Sequence, residues 1–202
     1  MRIIHKYVKS KEPLTLREAL DACVVNNSER GKAYIYKRYY GYLMAITLRY
    51  VKHEMEAEEI TNESFVKVFR KLEAFSQHEE DAVLEKTFKS WMARIAVNTS
   101  IDVLRVRKNN TMLEDVSEQV LLQHATVDSS KMEVQDILNL LHQLPDLQKS
   151  IFNLYEIEGY SHDEIGEMLS IPESTSRTYL TRAKQKLRKL YTEQFITHNL
   201  NF

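Results

Sequence analysis

The stretch at residues 161–189 constrains the fold most, because its local signals predict two helices joined by a tight turn. Ser161 and, three residues later, Glu164 form the capping-box pattern that starts a helix. Pro172 lacks a backbone N–H group and disfavours helix in the residue before it, so the first helix has to end by then. The same proline suits the first turn of a new helix. The stretch therefore predicts a helix-turn-helix with its turn at residues 170–172.

The second helix of this stretch has an apolar side and a basic side. At about 100° per residue, its apolar and small residues share one side: Ser176, Leu180, Ala183, Leu187 and Leu190. No acidic residue occurs between Glu173 and Glu193. A solvated helix usually mixes both signs of charge, whereas Arg, Ser, Thr and Gln together suit phosphates and base edges. The pattern favours a DNA-contacting helix, with an ordinary solvated basic face as the alternative.

Helix formers dominate the rest of the chain as well. Only four Gly and three Pro occur among 202 residues, and a hydrophobic content of 43% is enough for a packed core. We therefore predict an all-α fold with two small helical domains joined by a flexible linker. The predicted divisions are a basic leader at 1–15, a first domain at 16–108, an acidic linker at 109–131, a second domain at 132–195 and a tail at 196–202.

Charge and cysteine content narrow the class of protein. The formal net charge of −1 gives no support for nucleic-acid binding by itself. The charge is segregated, however, since residues 1–53 are basic and residues 111–164 are acidic, which indicates at least two kinds of partner. Cys23 is the only cysteine, which excludes an intramolecular disulfide and favours a reducing compartment. With neither a signal-peptide pattern nor a membrane-spanning apolar stretch, we expect a cytoplasmic protein.

Motifs that carry catalysis or metal binding are missing from the sequence. There is no HExxH, no pair of CxxC motifs, no Gly-rich phosphate loop and no GxSxG elbow. The seven His residues are scattered along the chain. We therefore expect a protein that is not an enzyme, and we expect no cofactor and no metal.

An acidic cluster opens a predicted helix at about residues 55–75. Its members are Glu58, Glu59, Asn62 and Glu63. Acidic residues at a helix N-terminus are ordinary compensation of the helix dipole. Acceptors grouped on one exposed face would equally dock a basic partner, so both interpretations stay open.

A basic and aromatic helix is predicted from Thr87, after a polar, acidic loop at residues 76–86. Its polar members are Lys89, Arg94, Asn98, Arg105, Arg107 and Lys108. Single-stranded nucleic acid needs this combination, since cations bind phosphates and aromatic faces stack on bases. For Trp91, packing in the core and contact with a strand are equally favoured.

Three blocks of the chain resemble one family. They are AEEITNESFVKVF at 57–69, FKSWMARIAVNTSIDVLR at 88–105, and the segment at 144–187 that contains the helix-turn-helix. A helix-turn-helix alone is weakly specific, but three blocks in this order with a linker between them are strongly specific. Together they resemble the extracytoplasmic-function (ECF) sigma factors of the sigma-70 family.

The resemblance implies a non-catalytic subunit that gives bacterial RNA polymerase its promoter specificity. The implied partners are core RNA polymerase, promoter DNA (duplex at the minus-thirty-five element, single strand at the minus-ten element) and an anti-sigma factor. The residues that would face the polymerase are Glu58, Glu59, Asn62 and Glu63. The minus-ten element would be read and melted by Lys89, Trp91, Arg94, Asn98, Arg105, Arg107 and Lys108, with Asn98 lining a pocket for a flipped base. The minus-thirty-five element would meet Arg177, Thr178 and Arg182, with Ser174, Thr175 and Thr181 beside them.

The chain departs from the family pattern at three places. Gly166 stands where Ala is common at the helix crossing, Tyr179 replaces a commonly basic residue, and the loop at 76–86 is longer and more acidic than usual. Two other classes of function stay open. One is a stand-alone helix-turn-helix regulator with an N-terminal sensing or dimerisation domain, and the other is a helical adaptor that binds no DNA.

Overall fold

The structure, a computed structural model, describes residues 14–111 and 132–193, with side chains described at 14–106 and 136–193. All regular structure in these ranges is helical, as predicted. The α-helices are Leu16–Asn26 (α1), Glu29–Thr47 (α2), Glu54–Arg70 (α3), Asp81–Thr111 (α4), Met132–His142 (α5), Asp146–Phe152 (α6), His162–Leu169 (α7) and Glu173–Tyr191 (α8). A 3-10 turn at Leu72–Ala74 and a π-helical turn at Asn153–Ile157 complete the set. The predicted leader, linker and tail lie almost wholly outside the described residues.

Local capping signals start the first two helices. Thr15 and Glu18 form a complete capping box, in which the Thr15 N–H donates to the Glu18 carboxylate at 2.8 Å. Asn27 ends α1 in the left-handed conformation, and the Ser28 hydroxyl accepts the N–H of Gly31 at the start of α2. From there α2, α3 and α4 pack against one another, and α1 covers α2. These four helices form the first of two helical units.

Aromatic side chains fill the centre of the first unit. Phe88 is fully buried, and its ring centroid lies 5.5 Å from that of Tyr39, 5.2 Å from that of Phe75 and 5.9 Å from that of Trp91. Trp91 stays partly exposed at the edge of this cluster. Aromatic pairs of this kind add about 0.5–1.5 kcal/mol each beyond their burial. The cluster fixes the rotation of α4 about its own axis.

Helix α4 begins at Asp81, so the predicted loop at residues 76–86 is wrong over its second half. Leu84 lies one helical turn before Phe88 and is buried, which extends the apolar stripe of α4 toward its N-terminus. The polar residues around Leu84 hide this stripe in the sequence. The connection before α4 is therefore short, at residues 76–80.

A side chain from α1 holds the start of α4 in place. The Arg17 guanidinium donates to the Asp81 carboxylate at 2.8 Å and to the carbonyls of His78 and Glu79 at 2.8 and 2.7 Å. These contacts satisfy backbone groups of the connection and place a carboxylate at the positive end of α4. Because Arg17 is more than 60 residues away in the chain, no local pattern indicates this helix start.

The second helical unit is built around α8. Helices α6 and α7 pack against α8, and α5 packs against α6 and α8. Gly159 follows the π-helical turn with a φ of 78°, a conformation that favours glycine. Ser161 and Glu164 form the predicted capping box, with the Ser161 N–H donating to the Glu164 carboxylate at 2.8 Å. Since α8 begins directly after Pro172, the predicted helix-turn-helix is confirmed.

The backbone of the turn approaches α7 closely at Gly166. A Cβ atom at this position would lie 2.9 Å from the carbonyl oxygen of Ile171. That oxygen belongs to the backbone and cannot rotate away like a side chain. The Ile171 N–H also donates to the Gly166 carbonyl at 3.0 Å, which ties the turn to the helix. Gly at this position therefore has a packing reason in this chain.

In Gly166→Ala the turn backbone has to move to admit the methyl group, at a cost of about 1–3 kcal/mol. The gain in helix propensity, about 1 kcal/mol, opposes this cost, so we expect a net loss of stability of up to about 2 kcal/mol. Urea or thermal unfolding measures the difference.

The matched control is Gly41→Ala, at a helical glycine with no atom within 4 Å of the added Cβ. This variant should gain about 0.5–1 kcal/mol through helix propensity alone. A Gly166→Ala protein that gained as much as Gly41→Ala would show that the turn is not tightly packed.

Candidate nucleic-acid interface

Helix α8 turns one face into the second unit and leaves the other exposed. Ser176, Leu180 and Ala183 are buried against α6 and α7. The side chains predicted to meet the minus-thirty-five element lie on the opposite face. Five of them are exposed and Thr175 is half-buried; the exposed ones are Ser174, Arg177, Thr178, Thr181 and Arg182.

A buried polar contact holds the crossing of α7 and α8. The Nδ1 atom of His162 is hydrogen-bonded to the Ser176 hydroxyl at 2.9 Å. The His162 ring stacks on Tyr155, with the centroids 4.4 Å apart. Burial lowers the pKa of His162, so the neutral ring is favoured at this crossing. The contact fixes which face of α8 points outward.

The two arginines of the exposed face are held differently. Arg177 pairs with Glu173 one turn earlier on α8, an exposed ion pair. Such pairs contribute about 0–1 kcal/mol, so a phosphate can replace the carboxylate at little cost. The Arg182 guanidinium lies 5.6 Å from the ring centroid of Tyr179, which is half-buried beneath it. Tyr179, unexplained by the sequence pattern, thus supports Arg182.

Hydroxyl groups on the same face are turned back onto the helix. Thr178 donates to the carbonyl of Ser174 at 2.9 Å, and Thr181 donates to the carbonyl of Arg177 at 3.1 Å. Contact with a base edge or phosphate requires these side chains to rotate or to accept a hydrogen bond on their free lone pairs. The arginines are therefore the more readily available groups of this face.

The structure brings three of the predicted minus-ten residues to one face of α4. Arg94, Asn98 and Arg105 lie within an arc of about 40° at 100° per residue, and all three are exposed. Trp91 borders this face and packs on Phe75 at a centroid distance of 5.1 Å. A packing role for Trp91 is thus observed, while its contact with a strand stays a prediction.

The other predicted minus-ten residues are not on this face or cannot be placed. Lys89 lies about 140° from Arg94 around α4, and its ammonium group pairs with Glu85 at 3.4 Å. Its contact with the same stretch of DNA is therefore not supported by the geometry. Arg107 and Lys108 belong to the last turns of α4, but their side chains lie outside the described residues.

The acidic cluster of α3 is exposed on the first unit. Glu58, Glu59, Asn62 and Glu63 all face solvent. Two of them are positioned by tyrosines of α2: the Tyr36 hydroxyl donates to the Asn62 side-chain oxygen at 2.9 Å, and the Tyr40 hydroxyl donates to Glu58 at 3.3 Å. Because the cluster extends beyond the first turn of α3, dipole compensation alone does not account for it.

Contacts between the two helical units were not predicted from the sequence. Arg49, in the turn that follows α2, pairs with Glu158, and Arg105 donates to the Ser170 hydroxyl in the turn of the helix-turn-helix at 3.3 Å. Arg94 and Glu158 both line a polar cleft of about 320 Å³ between the units. The partners are 65 and 109 residues apart along the chain, and no periodicity connects them.

Two other kinds of feature are absent from the described ranges. No three His, Cys, Asp or Glu side chains there come together as a metal site would require. None of the helices in the same ranges combines the length and the apolar character needed to cross a bilayer.

Comparisons with known proteins identify both units. The family model for sigma-70 region 2 matches residues 35–110, and the model for sigma-70 region 4 matches residues 134–187. The ECF RNA polymerase sigma factor SigW of Bacillus subtilis is 31% identical over 150 residues, covering 66% of this chain and 74% of SigW. The ECF RNA polymerase sigma-E factor of Haemophilus influenzae is 27% identical over 183 residues, covering 83% of this chain and 93% of that protein.

A solved structure shares the fold. It is the sigma factor RpoE of Bartonella quintana in complex with the anti-sigma factor NepR, with a TM-score of 0.51 and 18% identity over 80% of this chain and 97% of RpoE. Both family models fall on the two helical units in the order that the sequence predicted. The chain belongs to the ECF sigma factors of the sigma-70 family, non-enzymatic subunits that give RNA polymerase its promoter specificity.

Proposed function

We propose that this sigma factor directs RNA polymerase to a dedicated set of promoters with two separate DNA-reading faces and one polymerase-docking face. The α8 face reads the minus-thirty-five element as duplex, and the α4 face holds the opened minus-ten strand. The exposed cluster on α3 docks on core polymerase. Because a holoenzyme subunit acts on promoter DNA inside the bacterial cell, we expect this protein in the cytoplasm.

The observation that carries this proposal is the exposed outer face of α8, which has no acidic residue after Glu173. Its inner face is used in packing, and the exposed arginines on its outer face contact only neighbouring residues of the same helix. A helix of 19 residues with this polarity fits the major groove, where arginine can form two hydrogen bonds to guanine. The polar face of α4 supplies the second surface, with a neutral amide between two cations.

An inhibitory protein partner of the anti-sigma kind belongs to the proposal. Its support is that RpoE, which shares this fold, was solved together with the anti-sigma factor NepR. Co-purification of the tagged protein from its native cells, followed by mass spectrometry, would identify such a partner. If core polymerase co-purified without any inhibitory protein under every growth condition tested, this part of the proposal would be wrong.

Run-off transcription with core polymerase on genomic fragments tests the function. We expect defined start sites that require both the core enzyme and this protein. Because the contacts to DNA phosphates are electrostatic, binding of the holoenzyme to promoter DNA should also weaken steeply as the salt concentration rises. Tight, sequence-specific binding by the protein alone, without any effect on initiation by core enzyme, would instead indicate a stand-alone regulator.

We expect Arg182→Ala to weaken recognition of the upstream element by about 1–3 kcal/mol, the usual loss for a direct base contact. Run-off yields from a cognate promoter, with and without its upstream element, measure the effect. The loss should be confined to the template that carries the element.

Lys184→Ala is the matched control for this experiment. It removes one positive charge from the same helix, but its ammonium group pairs with Glu156 of the same unit at 2.6 Å. Equal losses in both variants would mean that Arg182 contributes only general charge and makes no specific contact.

We expect Asn98→Ala to reduce the yield of open complex about tenfold, because a lost hydrogen bond of about 1.4 kcal/mol changes an equilibrium by that factor. Permanganate reactivity of unpaired thymines at the minus-ten element reports opening. A gel-shift assay of the closed complex reports the preceding association, which should change little.

Lys86→Ala provides the comparison on the same helix, since Lys86 is exposed but lies about 80° away from Arg94 around α4. Normal opening by Asn98→Ala would exclude Asn98 from the pocket for a flipped base.

A further inference from the structure

One polar contact lies inside the helix-turn-helix, directly behind the face proposed to read the upstream element. The His162 Nδ1 atom and the Ser176 Oγ atom are 2.9 Å apart, and both side chains are buried. Ser176 stands between Thr175 and Arg177, two of the residues predicted to meet the minus-thirty-five element. Because all three belong to the same turn of α8, a shift at Ser176 moves both neighbours relative to the DNA.

The direction of this hydrogen bond follows from the other contacts of α8. A serine hydroxyl within a helix usually donates to the carbonyl four residues earlier. For Ser176 that carbonyl belongs to Pro172, which already accepts the N–H groups of Thr175 and Ser176 at 3.0 and 3.2 Å. A carbonyl oxygen has two lone pairs, so both are in use. The Ser176 hydroxyl therefore donates to His162, and the Nδ1 atom that accepts carries no proton.

The imidazole ring of His162 is also held by an aromatic neighbour. It stacks on the Tyr155 ring with the centroids 4.4 Å apart and the planes inclined by 21°. Tyr155 is itself contacted by Lys184 of α8, whose ammonium group lies 5.9 Å from the Tyr155 ring centroid. The stack fixes the plane of the imidazole ring, so that its Nδ1 atom stays directed at Ser176.

Protonation of the ring would disturb this contact. A proton on the Nδ1 atom of His162 would point at the Ser176 oxygen, and the hydroxyl proton of Ser176 would then lose its acceptor. A buried hydroxyl without an acceptor is costly, so the two helices would have to separate or rotate to satisfy it. The position of α8 against α7 therefore depends on the protonation state of one histidine.

The surroundings of His162 favour the neutral ring. The charged and titratable groups near it are Asp163 and Glu164 on its own helix, Glu173, Arg177 and Lys184 on α8, and Tyr155 and Glu156 in the π-helical turn. Burial is the main cause that lowers the pKa of His162; the two cations of α8 lower it further, and the Glu173 carboxylate opposes them. The neutral contact is thus intact above the ordinary histidine pKa of about 6.5 and is lost as the pH falls below it.

We propose that His162 is a positioning residue for recognition of the minus-thirty-five element, and that only its neutral ring holds α8 in the reading position. The inference rests on the proposed function, because it takes the outer face of α8 as the upstream reader. Recognition of the upstream element then weakens in acidic solution, whereas reading by α4 does not depend on His162. Acidification would shift initiation toward promoters that rely less on their upstream element.

Substitutions at both ends of the contact test this role. His162→Phe keeps a ring against Tyr155 but removes the acceptor, and Ser176→Ala removes the donor. His162→Asn is the conservative variant, because its amide oxygen can accept a hydrogen bond near the place of Nδ1 and does not titrate. The matched control is His78→Asn, since the His78 side chain is exposed in the first unit and its contact with Arg17 uses the backbone carbonyl.

The measured quantity is the preference of the holoenzyme for a cognate promoter duplex over the same duplex without its upstream element. Competition binding at constant ionic strength, with core polymerase and the full-length protein, gives this ratio at each pH. Effects of pH on the core enzyme cancel in the ratio, and binding to the duplex without the element shows that each variant still folds.

At about pH 7.5, well above the ordinary histidine pKa, His162→Phe and Ser176→Ala should lower the preference. The expected loss is about three- to tenfold, the usual effect of one hydrogen bond, and His162→Asn should retain most of the preference. Between about pH 7.5 and about pH 5.5 the preference of the natural sequence should fall toward that of His162→Phe. His162→Asn should stay constant over this range, and His78→Asn should follow the natural sequence.

Each contrary result has a distinct meaning. Unchanged preference in both His162→Phe and Ser176→Ala would overturn the positioning role. If the preference of the natural sequence stayed constant down to about pH 5.5, or fell equally in His162→Asn, the neutral ring would not be required and the proposal would be wrong. A natural protein without preference for any upstream element would instead refute α8 as the reader, and with it the proposed function.

Discussion

One-sided burial of two long helices is the constraint on which the rest of the structure depends. Phe88 and the aromatic rings around it consume one side of α4, so Arg94 and Asn98 can only face outward. In the second unit, the packing of Ser176 and Leu180 does the same for α8. Each unit thereby presents one exposed polar helix face.

The contacts inside the first unit differ in kind from the contacts between the two units. Inside the first unit, ring-on-ring packing dominates, and such contacts have no attractive alternative in water. Between the units, a charged pair and hydrogen bonds to the turn that follows α2 carry part of the contact. Water can replace these polar partners, whereas it offers no comparable partner to the stacked rings.

Several features of the fold and the candidate site could be predicted because their signals are local. The Ser161–Glu164 capping box and Pro172 set the helix-turn-helix within a few residues. The start of α4 could not be predicted in this way, because Arg17 on another helix holds it. Lys89 was grouped with the minus-ten residues by composition, whereas its position around α4 separates it from them. The role of Tyr179 depends on the fold, because its ring lies beneath the Arg182 guanidinium.

The sequence by itself determined the all-α class, the helix-turn-helix and the family, since capping residues, helical periodicity and ordered motif blocks act over short stretches. Only the tertiary structure decided which cations share a face, what Gly166 accommodates and how the units meet. The ion pair between Arg49 and Glu158 joins residues that are 109 positions apart in the chain. A contact of that kind depends on where two complete units place their surfaces, and no periodicity within either unit encodes it.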